Sequence, residues 1–158
     1  MPRTIFGLDI RSDAVSAVLL KTGFRGSWIE AHQHVPVPDP EDIGTAIDRS
    51  IETIMEKIDI AGSVCIASFP SEQISYRNLR VPFKSQKKIR QILPFELETT
   101  LPFPVSDIVI DFHAVTVSEP SDIIAAAVEK SRLESYLDRL ASFNIEPEIV
   151  TAGGYAAA

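Results

Sequence analysis

The residues best placed to do chemistry stand near the N-terminus, where Asp9, Arg11, Ser12 and Asp13 mark a polar turn between two apolar runs. A carboxylate and a hydroxyl at such a turn suit phosphate chemistry. Asp9 would serve as an outer-sphere ligand of Mg²⁺, an ion that uses few protein carboxylates, and Ser12 would donate a hydrogen bond. Two neighbours work against that use. Arg11 carries a side chain that must swing aside before backbone amides can approach a phosphate, and Asp13 adds negative charge where the phosphate would lie. The same residue types also shape ordinary hairpin turns.

A second candidate is basic. Arg77, Arg80, Lys84, Lys87, Lys88 and Arg90 gather in one short stretch of a chain whose formal net charge is −7. Such a patch would steer an acidic partner, or attract anionic lipid when an assembly holds it near a membrane; it is equally an ordinary solvated surface. Phe95 and Phe103 flank the helix that follows, where aromatics beside a basic rim anchor an interface or simply pack in the core.

The remaining reactive types form no site by spacing. His32 and His34 would share one strand face, but no cysteine or further histidine completes a tetrahedral metal set with them or with His113. No Gly-x-Ser-x-Gly elbow surrounds any serine. Glu96 and Glu98 are two apart on an expected helix, about 200° from one another, so they do not make a catalytic carboxylate pair. Cys65 is alone in the run Val64-Cys65-Ile66-Ala67 and reads as a small buried hydrophobe.

Composition bounds the rest. With 45% hydrophobic and 23% charged residues in 158, the chain is an ordinary globular protein able to bury a core without disulfides or metal. Asp9 interrupts the N-terminal apolar stretch too early for a signal-peptide core, and no window reaches the roughly 18 apolar residues of a membrane span. Membrane association is therefore expected only through partners. The negative net charge argues against a nucleic-acid footprint.

The elements that must position these residues alternate between strand and helix. Ile5, Leu8 and Ile10 begin a strand, and Ala14 to Leu20 form a second that pairs with it as a hairpin; residues 28–37 alternate as a third antiparallel strand. Asp39-Pro40 offers a cap and a first helical proline for a helix over 40–58, with Ile43, Ile47, Ile51, Ile54 and Ile58 on one face. Residues 63–69 read as a central strand beside the hairpin. Residues 74–81 alternate, and the polar side of this strand is expected to carry both Arg77 and Arg80. Ser85 caps a helix bearing Ile89, Ile92, Leu93 and Leu97, which Pro94 should kink or end. Strands over 105–117 and 123–128 follow, joined by a turn around residues 118–121. The spacing of Ser131 and Glu134 predicts a capping box for the last helix, Asn144 its left-handed stop, and 145–150 a final strand.

In this order, the Gly7-Leu8-Asp9-Ile10-Arg11-Ser12 turn, Tyr76-Arg77-Asn78-Leu79-Arg80-Val81-Pro82, Ile92-Leu93-Pro94-Phe95-Glu96-Leu97-Glu98, Leu101-Pro102-Phe103-Pro104 and Asp111-Phe112 resemble the PilM/GspL branch of the actin-like ATPase superfamily. Ile124-Ala125-Ala126-Ala127 and Ile145-Glu146-Pro147 extend the resemblance over nearly the whole chain. It implies an α/β fold: an actin-like (ribonuclease H-like) first lobe with a mixed sheet, made of residues 1–69 and 145–158, and a small inserted α+β subdomain over 70–144. Where an intact phosphate turn of this family runs Asp-Ile-Gly-Ser-Ser, this chain has Asp9-Ile10-Arg11-Ser12-Asp13, and the family's later lysine position is Ser16. Asp9, Arg11, Ser12 and Asp13 are thus expected to be a vestigial phosphate turn. The chain itself would use no cofactor, with ATP and Mg²⁺ bound only by a longer parent that supplies the second phosphate hairpin and the adenosine pocket.

The resemblance further implies a cytoplasmic protein at the inner-membrane face of a bacterium, serving a type IV pilus or type II secretion platform as a scaffold and not an enzyme. Its expected partners are the cytoplasmic tail of a PilN/GspM-like inner-membrane protein, the secretion assembly ATPase, or both, with no nucleic acid. The expected contact residues are Arg77, Arg80, Lys84, Lys87, Lys88, Arg90 and Phe95. The alternative is the N-terminal half of an actin-fold ATPase or kinase whose missing half completes the nucleotide site. The chain is expected to be a truncation at Ala158.

Overall fold

Alternation decides the first sheet. A computed structural model describes residues 3–37, 42–116 and 119–154. Strand β1 (Arg3–Ile10) pairs antiparallel with β2 (Ala14–Gly23), and Phe6, Leu8 and Ile10 are buried directly opposite Leu19, Ala17 and Val15. Strand β3 (Gly26–Pro36) extends this meander, with a register shift between Leu19 and Leu20 that leaves Glu30 without a partner across the ladder.

Helix α1 (Ile43–Met55) then crosses over, burying Ile47, Ile51 and Ile54 as their spacing predicts. Its cap is Asp42; the expected Asp39-Pro40 cap lies outside the described residues. The Asp42 carboxylate accepts from the Thr45 amide at 3.2 Å and the Thr45 hydroxyl at 2.5 Å, and these bonds, the hydroxyl's first, lower its pKa. The crossover delivers β4 (Val64–Phe69) parallel to β1, and the last strand, β8 (Ile149–Ala152), pairs parallel to β4. The five-stranded mixed sheet has the order β3-β2-β1-β4-β8. Pairing of the last strand starts later than expected because Pro147 has no N–H to give; the first bond is from Glu148 N–H to the Cys65 carbonyl, 2.9 Å.

The intervening segment builds a second sheet of order β5-β7-β6, from β5 (Ser75–Val81), β6 (Ile108–Ala114) and β7 (Ser121–Glu129), all antiparallel. Helix α2 (Gln86–Glu98) covers one face, packing Ile89, Leu93 and Leu97 on Val81, Ile108, Ile123, Ala125 and Ala127. Pro94 does not end this helix. It removes one backbone donor, but Leu93 and Leu97 on either side are buried, and that packing holds the turn together. Ser85 occupies the N-cap position without a side-chain bond to the helix. Residues 105–107, expected in a strand, form a 3-10 turn before β6.

Helix α3 (Lys130–Ser142) follows β7 without a loop. Ser131 therefore lies inside the first turn, its carbonyl accepting from the Ser135 hydroxyl at 2.8 Å, so the expected capping box does not form. The stop is as expected, with Asn144 at φ 58° and Ile145 N–H bonded to the Leu140 carbonyl at 3.0 Å.

Contacts divide the chain into Met1–Ser71 with Tyr136–Ala158, and Glu72–Ser135. The second boundary falls inside α3, earlier than residue 144, because Tyr136 meets Phe69 edge-on at 5.2 Å between ring centroids and Arg139 pairs with Asp48 at 3.3 Å. Each unit has its own core, so Ile51→Ala in the first and Leu97→Ala in the second should each cost about 2 to 5 kcal/mol, read from urea denaturation curves.

Candidate functional site

Parallel register between β1 and β4 sets Asp9 beside Ser68. The Ser68 hydroxyl donates to the Asp9 carboxylate, and the Ser68 carbonyl accepts from the Tyr136 hydroxyl at 2.8 Å. Burial, and then the negative charge that Cys65 and Asp9 can carry, push the Tyr136 phenol well above its ordinary pKa, so it remains a donor at every physiological pH. Asp9 is thus anchored from inside the fold.

From the solvent side it meets Arg11. The Arg11 Nε lies 3.3 Å from Asp13 and 3.8 Å from Asp9, between the two carboxylates. All three groups are largely exposed, so these pairs add little stability, but they hold a cation in the mouth of the turn. The Arg11 amide is also used, donating to the Ala14 carbonyl at 2.9 Å, and the Asp13 carbonyl accepts from Val37 N–H at 2.8 Å. A phosphate approaching here would meet two carboxylates, a guanidinium already engaged and a spent amide. The residues present do not fit a phosphate. Ser12 is exposed at the apex, and Ser16, opposite Asp9 across the hairpin, has its hydroxyl 2.8 Å from His34 Nδ1.

The basic residues do not form the single patch expected of them. Arg77 and Arg80 are three apart on a strand, hence on opposite faces; strand parity, read wrongly from the sequence, decides this. Arg77 turns toward the end of α2 and donates to the Tyr76 and Thr100 carbonyls at 2.8 and 2.9 Å. Arg80 pairs across the sheet with Asp122 at 3.8 Å. Arg90 reaches Asp111 at 3.0 Å and lies 5.1 Å from the Phe112 ring centroid. What remains is one helix face. At about 100° per residue, Lys87, Lys88, Gln91 and Phe95 fall within one outward stripe opposite Ile89, Leu93 and Leu97, and Lys84 is exposed just before the helix begins. Lys84 and Lys87 have no side-chain partner among the described residues, Lys88 stacks over Phe83 at 5.5 Å, and Phe95 is 74% exposed. Phe103, by contrast, packs against the core.

His32 and His34 share a face of β3 as expected, and no group of three or more metal-ligating residues occurs among the described residues. Glu96 and Glu98 are exposed on α2. No helix of the described residues is long and apolar enough to cross a membrane. The sequence reading missed the engagement of Asp9 by Ser68, which lies 59 residues away and had no local signal.

Cys65, beside Phe6 in the sheet, is 4% exposed, with its thiol pushed up to about 11 by burial and then by the charge of Glu148. The thiolate is therefore scarce at neutral pH. A thiol reagent should label the native protein at pH 7.5 at least about a hundredfold more slowly than the urea-unfolded chain, followed by absorbance.

Comparison with known proteins places this geometry. The family described as type II secretion system (T2SS), protein L, matches residues 48–156. The PilM-PilN type IV pilus biogenesis complex superposes with a TM-score of 0.78 at 19% identity, covering 94% of this chain and 47% of that one. The cytoplasmic domain of EpsL, an inner membrane component of the type II secretion system of Vibrio cholerae, gives a TM-score of 0.63 at 11% identity, covering 94% of this chain and 57% of that one. The chain spans about half the length of these solved structures. The α/β fold with its mixed sheet is that of an actin-like first lobe, as expected.

Proposed function

Because the chain belongs to the type II secretion system protein L family, matched over residues 48–156, we propose that it is a scaffold component of an inner-membrane assembly platform, in a type II secretion system or a type IV pilus. The family match carries this reading. On it, the protein works in the cytoplasm at the inner-membrane face, where it binds the cytoplasmic tail of a PilN/GspM-like membrane protein, the assembly ATPase, or both. Likeness to the PilM-PilN complex supports the first partner.

The first turn supports a role without nucleotide, since Arg11 is already paired with Asp9, the carboxylate that Mg²⁺ would need. The second reading, half of an actin-fold ATPase or kinase, is favoured by the retention of Asp9 and Ser12 and by the chain's spanning about half of its structural relatives. On either reading this chain alone should give no saturable heat with Mg-ATP in titration calorimetry, and a micromolar dissociation constant would overturn the scaffold reading.

Partner docking is proposed on the α2 face. Arg77, Arg80 and Arg90 are engaged within their own unit and act at most at its rim, whereas Lys84, Lys87 and Lys88 are free to meet carboxylates and Phe95 to fill an apolar pocket. In pull-downs with the cytoplasmic tail and with the ATPase, charge reversal of the three lysines to glutamate should reduce capture at least about tenfold at low salt, and capture by the unaltered protein should weaken as salt rises. Capture of neither partner by a folded sample would sink the proposal.

A further inference from the structure

The β2–β3 hairpin ends in a two-residue turn, Phe24-Arg25, closed by the pair Gly23 and Gly26, with Gly26 at φ 123°. Tips of this length favour small or polar residues that accept the turn geometry. Here the apex is a phenylalanine, exposed to 106%, with Ile29 at 61% and Trp28 at 52% immediately behind it. Lone exposed apolar side chains are common, but three large ones at one projecting end are not.

Their arrangement selects the partner. Trp28 lies opposite Lys21 and Ile29 opposite Leu20, so the two point to opposite faces of the ribbon while Phe24 caps its end. A protein groove would engage one face and leave the other wet. A tip apolar on both faces and at its apex suits a medium that surrounds it. The charges agree: residues 14–29 contain Lys21 and Arg25 but no acid, in a chain of net charge −7. Lys21 is paired with Glu30, and Arg25 has no ion-pair partner among the described residues. The carboxylates of Asp9 and Asp13 stand at the β1–β2 turn, at the opposite end of β2 from the tip, so an anionic surface would repel that end and attract the tip.

We propose that the tip formed by Phe24, Arg25, Trp28 and Ile29 is a membrane-contact site, seating its apolar side chains at the interface of an anionic bilayer with Arg25 on the lipid phosphates. A single wedge of this size binds weakly and reversibly. It adds a direct contact to the partner-borne association and does not depend on the α2 docking face.

Trp28 is the chain's single tryptophan, so its emission reports the tip. Vesicles of phosphatidylcholine with about one third phosphatidylglycerol should shift that emission to the blue and co-sediment the protein. Pure phosphatidylcholine should do so far less. Phe24→Ser and Arg25→Glu should each weaken co-sedimentation about tenfold. Both side chains are in the exposed turn, and circular dichroism checks that the variants remain folded. Unchanged emission and no co-sedimentation with the anionic vesicles would overturn the proposal. So would a blue shift caused without lipid, whether by raising the protein concentration or by adding the partner's cytoplasmic tail, since the tip would then be a protein contact.

Discussion

Parallel pairing of β1 with β4 is the constraint from which the larger unit follows. Two parallel strands cannot be joined by a tight turn; the chain must leave the sheet and return, and α1 is that return path. The register it enforces sets Phe6 beside Cys65, Leu8 beside Ala67 and Asp9 beside Ser68. The first two pairs are core. The third ties the polar turn to the middle of the sheet, and the bond from Tyr136 to the same serine ties α3 to it as well.

That constraint also fixes what the turn can do. Asp9 is held by a neighbouring strand and paired with Arg11, so the carboxylate at the start of the turn is engaged from within. The contacts of these side chains shape a hairpin. Residues without internal partners remain on the surfaces.

Helix α2 is such a surface because its charges oppose its own dipole. Lys87 and Lys88 occupy the first turn and Glu96 and Glu98 the last, whereas an isolated helix prefers acids first and bases last. Local stability does not explain that order. Violations of local preference concentrate where a sequence answers to something other than its own fold. The β2–β3 tip is a second instance, placing a phenylalanine where turn geometry asks for a small polar residue.

The sequence by itself determined the elements and their order. Isoleucines at helical spacing gave α1, alternation gave the hairpin, an apolar run gave β4, and punctuated motifs gave the family. These are short-range signals, legible because side-chain period reports backbone conformation directly. Boundaries set by single residues were less legible: Ser131 had the spacing of a cap but was drawn into the helix because β7 runs straight into α3. Only the tertiary structure decided which polar residues are spent and which are free. Asp9 meets Ser68 across a crossover, Arg90 meets Asp111 on a strand formed later in the chain, and Arg77 closes on the end of α2. No local pattern contains those partners, because a side chain's neighbours in a sheet are set by register between segments distant in sequence.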